Sequence, residues 1–395
     1  MKVVIALTSS SGQLSGVQRH AISLARCLLT REQITAVHLI AAPWQQDFVR
    51  DAAPRTDARL HLHTAVVRNN SLSRNLWYYA ALPRIAARLD ADIVHLGYPT
   101  PLNKHAYRCS TVVTLHDLYP YDVPQNFGFP KVLFNKLVLR QCLRAADAIA
   151  CVSQSTLDRL EGMEPLLALK KAVVVHNSVA PQPRVSPFSP LPQWSGEPFL
   201  LCVAQHRRNK NLLFLMQVFE RLLRTHRIAQ HTRLVIVGIP GPETNAVLRF
   251  LAAAGIADRV LLLNGLSDEE LQWCYRNCAL LLAPSLIEGF GLPVAEALLA
   301  GCRVICSDIP AFREVGGDRC LYIPLNAVAE QAFCDAVPIA IRGSAPKPVA
   351  LPQLSAPFIA EQYFQLYRSL LHPPSTLDAL ALRASMQASE GNHAI

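Results

Sequence analysis

Short apolar runs alternate with helix-length amphipathic patterns along most of this chain, and that alternation constrains its fold more than any other feature. Val3–Leu7, Val37–Ala42, Leu60–Val66, Ile93–Leu96, Val112–Leu115 and Ala148–Val152 read as strands. Gly16–Leu29 puts Val17, Ala21, Leu24, Ala25 and Leu28 on one helical face, and Leu76–Leu89 and Lys131–Ala145 carry related patterns. Strands separated by helices imply right-handed βαβ units around a buried parallel sheet. The pattern breaks at 179–198, where Pro181, Pro183, Pro187, Pro190, Pro192 and Pro198 exclude a helix interior or a central strand. A second α/β run follows, with strands at Phe199–Ala204, Leu234–Val237, Val260–Leu263, Leu280–Ala283 and Val304–Cys306. Helical patterns at Asn211–Arg224, Glu243–Ala254 and Asp268–Arg276 lie between them.

The expected fold class is therefore α/β, with two doubly wound Rossmann-like domains and a cleft between them at the carboxyl ends of the strands. A length of 395 residues suits two domains. We place the first at 1–180, a semi-extended Pro-rich linker at 181–198 and the second domain at 199–345. A last helix at 356–372 has an apolar face, with Phe358, Tyr363, Phe364, Tyr367 and Leu371, but no strand of its own; 373–395 reads as a flexible tail. No apolar run approaches the roughly 20 residues of a membrane span. Val3–Leu7 is too short for a signal-peptide core.

The charge is unevenly placed. Residues 1–196 hold 21 Lys/Arg against 12 Asp/Glu, whereas 197–395 hold 17 of each, so the whole net charge of +9 lies in the first half. This points to an anionic partner for the first domain, and membrane lipid fits because such attraction needs no specific pocket. Two segments could lie in an interface: residues 68–88, with Arg68, Arg74, Arg84, Arg88, Trp77, Tyr78 and Tyr79, and Lys131–Arg144, with Lys131, Lys136, Arg140, Val132, Leu133, Phe134, Leu137 and Val138. The alternative for each is a sheet-covering helix. Aromatics are only 7% and no recognition motif is present, so no nucleic-acid partner is expected. The 11 cysteines form no C-x-x-C, and Cys274 and Cys278 lack companions at zinc spacing, so buried free thiols are expected.

Four constellations carry chemistry. The first is Glu288-Gly289-Phe290-Gly291-Leu292-Pro293-Val294-Ala295-Glu296. It follows the strand Leu280–Ala283 and opens a helix with Pro293 at its start and Gly301 past its end. Glycines allow backbone amides to approach a ligand, and the helix terminus favours an anion such as a diphosphate. Glu288 at the loop mouth and Glu296 in the first helical turn are placed to accept hydrogen bonds from sugar hydroxyls. The second is Arg207-Arg208-Asn209-Lys210 after the strand Phe199–Ala204, where basic side chains can clamp a departing diphosphate. The third is the loop Ser9 to Gln18, with Gly16, which fails the dinucleotide fingerprint and is as consistent with a plain strand–helix turn as with a ligand loop. The fourth is His116 at the end of a strand, structural or functional on equal terms. Asp90-Ala91-Asp92 matches a metal-binding D-x-D but precedes its strand, at the wrong edge of the sheet; no metal is expected.

These residues resemble the retaining GT-B glycosyltransferases of family 4, in particular bacterial enzymes of exopolysaccharide and O-antigen synthesis. The resemblance covers about residues 1–325 and the last helix. It is carried by Glu288–Gly301 with Val304–Pro310, by Thr114-Leu115-His116-Asp117-Leu118, by Ala145–Ser153 and by Val175–Val179. It implies that Glu296 holds the donor ribose, and that Glu288 with the loop Gly289, Phe290, Gly291 and Leu292 contacts the transferred sugar and phosphate. Arg207 or Arg208, with Lys210, would neutralise the diphosphate. Gly16 would let its loop approach phosphate and acceptor, and His116 would touch the sugar near the reacting carbon. The implied reaction moves a hexose, mannose among the candidates, from a UDP- or GDP-sugar to a saccharide or lipid-linked acceptor. It retains configuration and uses neither cofactor nor metal. The implied location is the cytoplasm, peripheral at the inner membrane face, with the last helix crossing back onto the first domain. Two departures stand out: Ser15-Gly16 replaces the usual Gly-Gly, and Arg207, Arg208 and Lys210 crowd together. The alternative is a nucleotide-sugar epimerase of the same architecture.

Overall fold

Two parallel sheets organise the chain. The computed structural model describes residues 1–12, 15–53, 57–126, 128–179, 185–343 and 346–372. The expected tail at 373–395, and 181–184 of the linker, fall outside the described residues. The first sheet holds β1 (Lys2–Ala6), β2 (Ala36–Ala41), β3 (Leu60–Thr64), β4 (Ile93–Leu96), β5 (Ser110–Leu115), β6 (Ala148–Cys151) and β7 (Ala172–Val174), in the order β3-β2-β1-β4-β5-β6-β7. The second holds β8 (Phe199–Val203), β9 (Arg233–Val237), β10 (Val260–Leu263), β11 (Leu280–Ala283), β12 (Val304–Ser307) and β13 (Leu321–Ile323), in the order β10-β9-β8-β11-β12-β13.

Both orders reverse direction at one place, between β1 and β4 in the first sheet and between β8 and β11 in the second. That is where an open parallel sheet leaves a crevice at its carboxyl edge. The central strands are apolar on both faces because helices cover both: Val3, Val4, Ile5 and Ala6 of β1 are all fully buried. Two short strands, β7 and β13, escape the sequence pattern because three residues carry too little periodicity to read.

The helix Ala356–Leu371 belongs in space to the first domain. Its Ile359, Ala360, Tyr363 and Tyr367 are buried in one cluster with Val3, Ile5, Leu24 and Leu28. Arg31 pairs with Glu361 at its rim, at 2.7 Å. The end of the chain thus seals the core of its beginning.

Three sequence expectations change in detail. The described part of the linker is docked rather than free: Leu191 is buried in the second domain's core, and Trp194 stands edge-on to Trp273 with ring centres 4.9 Å apart. Pro-rich backbone excludes regular structure but not side-chain burial. The expected helix Leu76–Leu89 begins earlier, at Ser71, and changes pitch through a π-helical turn at Trp77–Ala81. That turn buries Trp77 and Tyr78, with the Tyr78 hydroxyl donating to the Thr8 carbonyl at 2.8 Å, so neither ring faces outward. Asp90 and Asp92 do sit at the amino edge, taking hydrogen bonds from Lys2 Nζ (3.0 Å) and the Lys2 amide (2.7 Å).

Candidate active site

The loops after β8 and β11 leave adjacent strands at the switch point and run side by side. The Leu286 amide donates to the Asn209 carbonyl at 2.8 Å, joining them. Across this junction Lys210 Nζ donates to both oxygens of Glu288, at 2.6 and 2.7 Å, and Ser285 Oγ donates to Oε1 at 2.7 Å. Glu288 is only 8% exposed. Its carboxylate is therefore fully engaged and serves as a fixed charge rather than a free nucleophile.

The two arginines separate. Arg207 is half-buried and faces the first domain: burial raises the Asp117 carboxyl, while Arg159, Arg207 and Lys210 pull it back down. Arg208 starts a 3-10 turn (Arg208–Lys210) and is exposed, away from this group. The sequence treats them as equivalent neighbours; the turn points them apart. Asn209, the next residue, is fully buried and donates to the Tyr119 hydroxyl at 3.0 Å.

Gly289 touches the first domain directly. A Cβ there would lie 1.7 Å from the His116 carbonyl oxygen, so only glycine permits this approach. Its own carbonyl accepts from Ser153 Oγ (2.5 Å) and Thr156 Oγ1 (3.1 Å), at the start of the helix Gln154–Met163. Gly291 has φ of 106°, a left-handed value that glycine adopts freely. The chain then enters the helix Leu292–Ala300, with Pro293 in its first turn. Among the described residues, the amides of Phe290, Gly291 and Leu292 have no hydrogen-bond acceptor, which leaves three consecutive donors unengaged where the helix begins. Phe290 itself is buried, its ring beside His176.

Glu296 falls in the second turn of that helix, not the first, because the helix begins at Leu292. Its Oε2 accepts from the Tyr275 hydroxyl at 2.8 Å. Burial raises its pKa, opposed by Tyr275 and by Arg19 from the first domain. Arg19 pairs with Asp268 across the cleft. A cavity of about 170 Å³ opens here, lined by Arg19, His20, Asn177, Tyr275, Leu292 and Glu296 among others.

His116 donates from Nε2 to the Gly97 carbonyl at 2.9 Å, which leaves Nδ1 as an acceptor. Burial lowers its pKa to about 4, so it is neutral at pH 7. Gly16 opens the helix Gly16–Leu29 and is exposed, with nothing within 4 Å of a Cβ position, so packing does not demand a glycine there. Long-range contacts are what sequence reasoning missed: Tyr275 within the second domain, and between domains Arg19, Asp268, Ser153 and Thr156, and Glu314, which accepts from the Gln154 amide at 2.7 Å and His176 Nε2 at 2.7 Å. Only Ser153 leaves a trace in the text, as a serine between a strand and a helix.

Two family profiles cover most of the chain. Glycosyltransferase Family 4 matches residues 14–182, and Glycosyl transferases group 1 matches residues 189–320. The chain belongs to glycosyltransferase family 4. This member is 24% identical over 342 residues to O-antigen chain mannosyltransferase B of Escherichia coli, covering 83% of this chain and 88% of that one. It is 26% identical over 212 residues to O-antigen chain mannosyltransferase RfbU of Salmonella typhimurium, covering 53% and 56%. The crystal structure of WaaG, a glycosyltransferase involved in lipopolysaccharide biosynthesis, superposes with a TM-score of 0.63 at 18% identity, over 93% of this chain and 97% of that one. The α/β GT-B fold follows, and so does the class of enzyme, a glycosyltransferase.

Proposed function

We propose that this glycosyltransferase moves a hexose, mannose first among candidates, from a nucleoside diphosphate sugar to a saccharide or lipid-linked acceptor of cell-surface polysaccharide, retaining configuration and using no metal. The observation that carries the donor reading is the set of three unengaged amides, Phe290, Gly291 and Leu292, beside the Lys210–Glu288 pair. Amides at a helix terminus hold diphosphate oxygens; Lys210 and Arg207 offset the charge that develops as the C1–O bond breaks. Glu296 accepts from ribose hydroxyls in the cavity beside Tyr275. With Glu288 held by Lys210 and Ser285, the departing diphosphate oxygen accepts the acceptor hydroxyl's proton as the new C1–O bond forms on the same face. His116 orients the sugar. The mannosyl assignment draws on the two O-antigen mannosyltransferases to which the chain is similar.

A donor screen tests this. Stabilisation by a ligand at a hundredfold excess over Kd is about 2.7 kcal/mol. GDP-mannose is expected to raise the melting temperature by several degrees, and a radiolabelled hexose to move to acceptor with release of nucleoside diphosphate. No shift with any UDP- or GDP-sugar would remove the donor reading. A changed sugar nucleotide without transfer would establish epimerisation instead.

The same reading seats the first domain on anionic membrane. The helix Lys131–Ala145 exposes Leu133, Phe134 and Leu137 at 51%, 50% and 69%, next to Phe129 at 83%. Arg140 and Arg144 pair with Glu164 but stay exposed, and Lys131 is exposed beside the apolar face. In residues 68–88 only Leu72, Leu76 and Tyr79 of the large apolar side chains point outward. Among the described residues no helix is long and apolar enough to span a bilayer. Full-length protein is expected to float with vesicles containing phosphatidylglycerol and not with pure phosphatidylcholine. Serine at 133, 134 and 137 together is expected to cut flotation roughly tenfold or more, since each buried methylene contributes about 0.8 kcal/mol. Equal flotation with both lipids, or none, would remove the membrane assignment.

A further inference from the structure

Behind His116 lies a chain of buried polar groups that the proposed reaction does not use. The Tyr367 hydroxyl lies 2.6 Å from His95 Nδ1, His95 Nε2 lies 2.7 Å from Thr114 Oγ1, and Thr114 Oγ1 lies 3.1 Å from His20 Nε2. The chain ends with His20 Nδ1 at 2.6 Å from Asn177 Oδ1. Tyr367, His95 and Thr114 are fully buried, and His20 and Asn177 nearly so. With the Asn177 amide oxygen as terminal acceptor, one direction satisfies every group. Tyr367 donates to His95, His95 to Thr114, Thr114 to His20, and His20 to Asn177. That order fixes His95 as the Nε2–H tautomer and His20 as the Nδ1–H tautomer. The His20 ring then stands edge-on to His116, centres 4.8 Å apart at 86°. Burial keeps the imidazoles neutral, with His95 lowered to about 3 and His20 lowered in the same direction.

We propose that His20 is a positioning residue for His116, its tautomer fixed by Asn177 and its tilt held from the last helix through the relay Tyr367–His95–Thr114–His20–Asn177. The proposal rests on the reading of His116 as the residue that orients the sugar. His116 has one hydrogen bond, to Gly97, which leaves its ring free to rock about that axis; the edge of His20 removes that freedom. The relay also gives the last helix a role besides packing. It begins on a helix that follows the whole second domain in sequence and ends beside the cleft, at residues that line the cavity with Glu296. The three groups between Tyr367 and Asn177 have no slack: removing one hydroxyl strands a buried imidazole nitrogen.

The test uses the full chain labelled with nitrogen-15 histidine. Long-range proton–nitrogen spectra are expected to show His20 as Nδ1–H, and His95 and His116 as Nε2–H. In Thr114→Val, His95 is expected to become a mixture of tautomers, because its Nε2–H has lost its acceptor, while Asn177 keeps His20 as Nδ1–H. Donor turnover, read as release of nucleoside diphosphate, is expected to fall roughly tenfold with donor KM within about twofold, the scale of one lost buried hydrogen bond. Thr114→Ser restores both. Tyr367→Phe, which removes only a hydroxyl, is expected to leave His95 as Nε2–H, to shift its unpartnered Nδ1 resonance and to slow turnover in the same way. Adding Thr114→Val to His116→Ala costs nothing further if the relay acts through His116. A single His95 tautomer in Thr114→Val, or additive losses, would overturn the relay. Full turnover in His116→Ala would instead overturn the role of His116, while the spectra still report the relay itself.

Discussion

Gly289→Ala is expected to abolish transfer and to lower the melting temperature, although it adds one methyl group. The new Cβ would lie 1.7 Å from the His116 carbonyl oxygen and 2.9 Å from its carbon. Both partners are backbone, on β5's exit and on the β11 loop, so no side chain can swing aside. Relief requires the loop to retreat. Retreat breaks the bonds from Ser153 and Thr156 to the Gly289 carbonyl, and it carries the amides of Phe290, Gly291 and Leu292 off the diphosphate. Two lost hydrogen bonds cost about 1 kcal/mol each, before any strain. A displacement of about 1 Å at the reacting group costs roughly a hundredfold in rate. We expect turnover to fall at least that far. Gly16→Ala is the control: open space surrounds that position, so its melting temperature is expected to match the parent. Turnover within twofold of the parent for Gly289→Ala would show that the two domains do not meet at Gly289 during the reaction.

The contrast between these two glycines shows what a single sequence can and cannot express. Both sit at strand–helix loops and read alike. Strand and helix periods are local, and so the α/β class, the two sheets and the loop-bearing edges were legible. So was the grouping of Glu288, Gly289, Gly291 and Glu296, because one strand–loop–helix unit holds them all. Long-range partners were not. Tyr275 anchors Glu296 from a helix 21 residues earlier, and Arg19 reaches Asp268 from the other domain. Neither contact leaves a spacing signal. That Arg207 is half-buried and Arg208 exposed was illegible for a different reason: adjacent residues of one basic run give no signal of which is covered. Trp77 and Tyr78 read as interfacial or as core, because aromatics beside arginines suit both a bilayer surface and a sheet-covering helix. The π-helical turn decides for the core.

Glu296→Ala is expected to leave a folded protein that no longer responds to its donor. In the donor pose we propose, the carboxylate accepts from two ribose hydroxyls while Tyr275 holds its Oε2. Hydrogen bonds to a charged acceptor contribute about 1.5–3 kcal/mol each. Losing two, at the lower end, weakens donor binding roughly a hundredfold. Stability moves the other way. Burial raises this carboxyl above its ordinary 4.5, so its ionised form is the one the fold disfavours. A raised folded value means stability fully present below 4.5 and lost as pH rises through the folded value. At pH 7 the unliganded Glu296→Gln protein, which keeps an acceptor for Tyr275, is therefore expected to melt no lower than the parent. Donor affinity has the opposite pH sign. It needs the carboxylate, so in the parent it is expected to decline on acidification through that raised value, and in Glu296→Gln to lose this dependence. Melting curves with and without donor at pH 5 and pH 7 separate the two effects. An unchanged donor-induced shift in Glu296→Ala would place the ribose elsewhere in the cleft.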